Sequence, residues 1–294
     1  MVGQRSARDQ PRGIILLLLS VSLFAAVDGV SKLLADAQSV GQIMWARYAL
    51  ALPLLLATHR PTEWANLFRT ARPGLQIARA VAPLFVGGSM VMAVRFLPLA
   101  EATVILFAAP FLVVALSGPF LGERVPLPSW IGVIIGFAAV VVVARPGFTE
   151  LSRFAVFPLS GAIFYALFQL LTGRLAASGE TADTTLAWTL AVGVVVTTPL
   201  AAFTWVPVAP TAWLLIMVLG ISFGLAQALL VRAFSYAPAS LLAPFSYAQI
   251  IAATIFGIVV FTAVPDFWTF VGMAMIIGAG IYVTQSRAAA SEHA

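Results

Sequence analysis

The stretch RFLPLAEATVILFAAPF, Arg95–Phe111, returns in altered form as RAFSYAPASLLAPFSYA, Arg232–Ala248. At a constant offset of 137, Arg95 falls on Arg232, Ala100 on Ala237, Ala102 on Ala239, Thr103 on Ser240 and Pro128 on Pro265. A second pair lies upstream. FAAVDGVSKLLA, Phe24–Ala35, aligns with YALFQLLTGRLA, Tyr165–Ala176, which sets Asp28 on Gln169. The chain therefore reads as a duplication whose halves meet near the Arg145–Arg153 loop.

What is duplicated is apolar. Of 294 residues, 61% are hydrophobic and 9% are charged. Soluble domains run near 45–50% and 25%. So little polar surface excludes a water-facing enzyme, a DNA-binding protein and a secreted scaffold. There is no cysteine, which removes disulfides, thiolate nucleophiles and Cys-based metal sites. The two histidines, His59 and His293, fall in a loop and in the tail. The net charge of +5 reports orientation in a membrane rather than a nucleic-acid partner.

Apolar runs bounded by charge, Pro and Gly place ten spans, each near the roughly 20 residues a bilayer requires. The first five are Gly13–Ala35, Val40–Thr58, Pro73–Phe96, Leu99–Leu121 and Pro128–Ala144. The others are Ala155–Ala176, Ala182–Phe203, Thr211–Phe234, Ala239–Phe261 and Phe267–Thr284. The run from Gly13 is too long, and lacks the small-residue site, to be a cleaved signal peptide. With the N-terminus inside, the inner segments carry ten cations: Arg5, Arg8, Arg12, Arg60, Arg69, Arg72, Arg124, Arg174, Arg232 and Arg287. The outer ends carry four: Lys32, Arg95, Arg145 and Arg153. That asymmetry puts both termini in the cytoplasm. Trp64, Trp130, Trp205, Trp213 and Trp268, all near span ends, suit an interfacial belt.

Each half holds an odd number of spans, so the second enters the membrane from the opposite side. The expected fold is an all-α integral membrane protein: ten transmembrane helices as two inverted five-helix repeats around a central cavity. Residues 1–12 form an N-terminal tail, 13–144 the first repeat, 145–154 the linking loop, 155–284 the second repeat and 285–294 the C-terminal tail. Secondary transporters use this arrangement and bind solute near the midplane between the halves.

Polar residues inside spans need a reason, because charge in a bilayer costs roughly 2.5–3.5 kcal/mol. Asp28 and Lys32 stand four apart in the first span and share a face. They are expected to pair, or Asp28 to meet a substrate amine or a proton. Arg47, beside Tyr48, requires a carboxylate from Asp28, Glu101 or a solute. Glu101 opens the fourth span as a helix-start acid or a cavity-mouth charge. Arg79 is expected to snorkel to headgroups. The second half offers Tyr165, Gln169, Gln227, Ser246, Tyr247 and Gln249 instead of charges. Tyr165, Gln249 and Phe107 fall near mid-bilayer. Glutamines in hydrocarbon either join helices or line a cavity, and a lining of amides, phenols and aromatics suits a zwitterionic or heteroaromatic solute. Pro110 and Pro244 interrupt repeat-equivalent spans and are hinge candidates. Gly132-x-x-x-Gly136 and Gly220-x-x-x-Gly224 read as intramolecular close-packing motifs.

The stretch LPLAEATVILFAAPFLVVALSGPFLGERVPLPSWIGVIIGFAAVVVVARPG, Leu97–Gly147, resembles the EamA-like branch of the drug/metabolite transporter superfamily. The resemblance rests on the Pro98-Leu99-Ala100 start, Ala102-Thr103, mid-span Pro110, the Leu121-Gly122-Glu123-Arg124 end, Trp130, and the glycines of the fifth span. The second half departs from it, with GIVVFTAVPD at Gly257–Asp266 in place of LGE[RK]. The resemblance implies a ten-helix secondary transporter of small metabolites in a bacterial-type inner membrane. Many members export amino acids, aromatic and other neutral ones included. Others carry vitamins, nucleotide-like metabolites or cationic drugs. The chain shows no P-loop, no intramembrane nucleophile–base pair and no metal cluster. The expected partners are a small-molecule substrate and the bilayer, with no cofactor, no nucleic acid and a monomeric state.

Overall fold

The computed structural model describes residues 10–121, 127–145, 150–237 and 239–292. The fold is all-helical. In chain order the helices are α1 (Gln10–Ala35), α2 (Val40–Ala57), α3 (Trp64–Leu67), α4 (Pro73–Phe96), α5 (Leu99–Leu106), α6 (Ala109–Leu121) and α7 (Leu127–Ala144). The second half supplies α8 (Val156–Ala177), α9 (Ala182–Phe203), α10 (Pro210–Tyr236), α11 (Ala239–Ser246), α12 (Ala248–Phe261) and α13 (Phe267–Glu292). Among the described residues nine helical segments are long and apolar enough to cross a membrane, and Ser129–Ala144 of α7 is a shorter apolar helix. Large side chains point outward without protein cover, including Phe203 at 91% exposure and Val259 at 73%. A water-facing surface would not carry that much exposed hydrocarbon. A lipid-facing one does.

Local chemistry sets the ends. Ser39 caps α2 by accepting from the Gln42 amide at 3.2 Å, and the Gln42 carboxamide accepts from the Ser39 amide at 3.2 Å. Thr181 caps α9 through the Thr184 amide at 3.1 Å. Pro73 and Pro210 occupy first turns, where a missing N–H is harmless.

Three expectations are corrected. The fourth and ninth spans are not continuous: the first breaks at Phe107–Ala108, the second at Tyr247. The last helix continues to Glu292, through most of the expected tail. The offset of 137 does not persist. α4 and α10 start 137 apart, at Pro73 and Pro210, but α10 has 27 residues where α4 has 24. From their ends onward the offset is 140, so α11 follows α5, α12 follows the break after Phe107, and α13 follows α7.

The packing has a reciprocal pattern. α1 lies along α10 as α8 lies along α4; α1 meets α12 as α8 meets α6; α2 meets α10 as α9 meets α4. α2–α9 and α7–α13 are their own counterparts. The α7–α13 seam shows this residue by residue. A methyl on Gly132 would overlap Val283 and approach the Ala279 carbonyl, while one on Gly272 would overlap Val143 and approach the Ala139 carbonyl. All three correspondences fall at the 140 offset. The small-residue motifs therefore bring helices together within one chain: Gly136 admits Phe111, and Gly220 admits Leu50 and the Ala46 carbonyl.

Candidate functional site

Four groups of polar side chains line the bundle. The first lies one third of the way into α1 and α2 from the end that carries Asp266. Arg47 donates from Nη2 to Asp28 Oδ1 at 3.1 Å and to Ser31 Oγ at 2.6 Å. Ser31 donates in turn to the Val27 carbonyl at 2.6 Å. Arg47 thus has the carboxylate the sequence demanded, and it is Asp28 rather than Glu101. The Asp28–Lys32 pair is not formed. The Lys32 ammonium instead donates to the carbonyls of Val94 and Leu97, the latter at 2.8 Å, and lies 5.6 Å from the Phe261 ring centre. It closes the orphan carbonyls at the end of α4, which lie nearer its tip than a carboxylate one turn back.

The second group sits at the Asp266 end. Asp266 caps α13, accepting from the Thr269 amide at 2.9 Å and hydroxyl at 2.7 Å, and pairs with Arg145. Burial opposes its ionisation, but the Thr269 hydrogen bonds and the Arg145 cation together hold the carboxyl below its ordinary range. Glu101 is half-buried at the start of α5, within electrostatic reach of Asp266, Arg145 and Lys32. It belongs to this end cluster and does not meet Arg47.

The third group surrounds the two helix breaks. The rings of Phe107 and Tyr247 are 5.5 Å apart, joining the breaks to each other. Tyr165 of α8 lies close enough to act on the Tyr247 phenol, and its ring is 6.1 Å from Phe168. Gly280 of α13 backs the Tyr247 ring. Gln169, Gln227 and Gln249 are half-buried and make no side-chain hydrogen bond among the described residues. The reading of these amides as helix-joining clasps is not met. Gln227 lies on α10, which packs on α1 and α2, apart from the break cluster. Ser246, half-buried, has a partner.

Of the two hinge candidates, Pro110 accounts for its break. It is the second residue of α6 and lacks the N–H that would reach the Leu106 carbonyl. Pro244 lies inside α11, three residues before the break at Tyr247, so its own missing hydrogen bond does not coincide with that break. The Gly122, Glu123 and Arg124 element lies outside the described residues.

The fourth group departs from its sequence reading. Arg79 does not snorkel. Its Nε donates to Thr172 at 3.0 Å, and its Nη1 donates to the Thr185 carbonyl at 3.2 Å and to the Thr189 hydroxyl. The guanidinium lies 4.3 Å from the Phe168 ring centre, a cation–π distance. No acid pairs with it among the described residues, and Tyr48 is the ionisable group that acts on it. A clue existed: Thr185 and Thr189 are one turn apart and share a face of their span. Nearby, Glu180 accepts from Thr70 at 2.7 Å, the Ala71 amide at 3.2 Å and Gln76 at 3.2 Å. The Thr70 hydroxyl is the main reason its carboxyl is held below the ordinary range, against opposition from burial, with Ala71 and Gln76 adding to it.

Residues 11–145 match the EamA-like transporter family. That match spans 135 of the 294 residues, the first half of the chain. The chain shares 26% identity over 275 residues with an S-adenosylmethionine uptake transporter of Rickettsia conorii, covering 94% of this chain and 93% of that one. A pseudopaline exporter of Pseudomonas aeruginosa is 27% identical over 280 residues, covering 94% and 96%. A riboflavin transporter of Vibrio cholerae is 23% identical over 278 residues, covering 93% of each. A crystal structure superposes with a TM-score of 0.65 at 19% identity, covering 95% of this chain and 98% of the other, which shows a shared fold. The chain is a membrane-embedded transporter of small molecules. Its named relatives include both uptake and export proteins.

Proposed function

We propose that this EamA-like transporter works by alternating access between two inverted five-helix halves, and that it exports amino acids, aromatic or other neutral ones, across the inner membrane. The reciprocal α7–α13 seam supports inverted halves. The two helices run in opposite directions there, since Arg145 after α7 pairs with Asp266 before α13. The excess of arginine on one side supports cytoplasmic termini. The observation that carries the substrate class is the cluster at the helix breaks. Phe107, Tyr247 and Tyr165 supply aromatic faces, and half-buried Gln169 and Gln249 keep unused donors and acceptors. Such a cluster of aromatic rings and amides suits an aromatic body with a few polar groups better than a bare metal ion. Phe107, Tyr165, Gln169 and Gln249 are the residues we assign to the solute, and Pro110 to the hinge.

A second reading follows from the relatives: uptake or exchange of a vitamin-like or nucleoside-like metabolite, as the names of the riboflavin and S-adenosylmethionine transporters suggest. One experiment separates them. Liposomes holding the purified protein are loaded with mixed amino acids, nucleosides and vitamins, and efflux is followed by mass spectrometry with and without a proton gradient. Selective, saturable efflux of neutral or aromatic amino acids is expected. Movement of a vitamin or nucleoside alone sinks the amino-acid assignment and favours the second reading.

A further inference from the structure

Arg47 and Arg79 are both arginines within spans, and the structure treats them differently. Arg47 has a carboxylate, Asp28, in contact. Arg79 has three oxygens, all neutral: two threonine hydroxyls and a backbone carbonyl. Neutral oxygens orient a guanidinium without cancelling its charge. They also occupy only Nε and Nη1. Both N–H groups of Nη2 are left without a partner among the described residues. The side chain is half-buried rather than sealed. A cation held in fixed orientation, with donors to spare and no counter-ion, is the environment a bound anion completes.

The surroundings say which anion. Phe168 lies against the guanidinium, Tyr165 lies beside Phe168, and Tyr165 reaches Tyr247 at the helix break. The cation thus stands at one end of an aromatic row. The groups that hold it come from both halves, Arg79 from α4 and Thr172 and Thr189 from α8 and α9. At the offset of 137 that applies early in α4 and α10, the second half has Ile216 in place of Arg79, so the feature occurs once and on one side.

We propose that Arg79 is an anion-binding residue of the transport path: it takes the carboxylate of an organic acid or zwitterion whose apolar body lies on Phe168 and Tyr165. This deepens the transport reading above and rests on it for the path, but not for the identity of the solute.

The test uses matched acids and amides on the purified full-length protein. Thermal unfolding is followed while L-tryptophan, L-phenylalanine and indole-3-propionate are titrated, each against its carboxamide. The wild type is expected to be stabilised by at least one acid and far less by its amide. Arg79→Gln should weaken the acid roughly 10- to 100-fold and leave the amide unchanged. Arg79→Lys, which keeps the charge, should retain part of the preference and guards against a folding defect in the first variant. Equal binding of acid and amide by the wild type, or no shift with any acid, overturns the proposal, and neither result depends on a variant. Stabilisation by phosphatidylglycerol in place of the acids, lost in Arg79→Gln, assigns the cation to a lipid headgroup and also overturns it. If indole-3-propionate binds through Arg79 while the amino acids do not, Arg79 keeps its role and the amino-acid reading fails alone.

Discussion

Arg47 Nη2 lies 3.1 Å from Asp28 Oδ1, and the two side chains are 5% and 10% exposed. This ion pair joins α2 to α1 deep in the bundle. Arg47 Nε is also buried there without a partner. Removing one charge strands the other, which costs about 3–5 kcal/mol. Asp28→Leu or Arg47→Met should each lower the thermal midpoint sharply. The double variant Asp28→Leu/Arg47→Met should recover most of the loss, because no charge and no orphaned Nε remain. A double-mutant cycle in detergent micelles measures the coupling. A double variant as unstable as the worse single one would mean the pair does more than balance charge.

Gly280 admits the Tyr247 ring at the second helix break. A methyl there has no room, and overpacking of this kind costs about 1–3 kcal/mol. Gly280→Ala should lower both stability and transport. Adding Tyr247→Leu should restore stability and leave transport impaired, since the ring contact with Phe107 is then gone. Unfolding and counterflow measured on the same preparations separate the two effects.

Glu180 ties the segment before α4 to the turn before α9. Its carboxyl is held below its ordinary 4.5, first by the Thr70 hydroxyl. A depressed carboxylate contributes its stabilisation above the unfolded value and loses it as pH falls through the folded one. The tie should therefore be intact at neutral pH and weaken below about pH 4.5. Hydrogen exchange at the Ala71 amide, compared with Glu180→Gln at each pH, reads it directly. The wild type should approach the variant only in acid. Equal exchange at neutral pH would show that the carboxylate holds nothing.

Pro110 withholds one hydrogen bond at the first break. Pro110→Ala supplies an N–H for the Leu106 carbonyl and should join α5 to α6. The expected outcome is a higher thermal midpoint with slower transport, as hinges set turnover in many gated proteins. Unchanged transport in a stabilised variant would remove Pro110 from the hinge.

Much of the architecture was legible because lipid imposes a simple rule on sequence. Where an apolar run met Pro73, Ala182 or Phe267, a helix begins at that residue. The helix break in the fourth span was legible only as an interruption at Pro110. Val104, Ile105, Leu106, Phe107, Ala108 and Ala109 read as apolar span, and nothing in them announces that the break falls at Phe107–Ala108 with Phe107 packed on Tyr247. The Arg79 site was missed for a related reason. Thr172 and Thr189 stand 93 and 110 positions from Arg79, and nothing local announces that they converge. The Asp28–Lys32 expectation erred by preferring a neighbour on the same helix over the carbonyls that end another.

The α7–α13 seam bears on energy as well as shape. If Gly132 meets Val283 as Gly272 meets Val143, a tilt about that seam in one sense has a twin in the other sense with nearly the same packing cost. Neither facing is then favoured by the seam itself. The preference must come from contacts that have no twin, and the Asp28–Arg47 pair and the cation at Arg79 are two of them. Each 1.4 kcal/mol of such imbalance changes the ratio of the two facings about tenfold. A handful of side chains, rather than the helices that carry them, would thus decide which side of the membrane the resting protein faces.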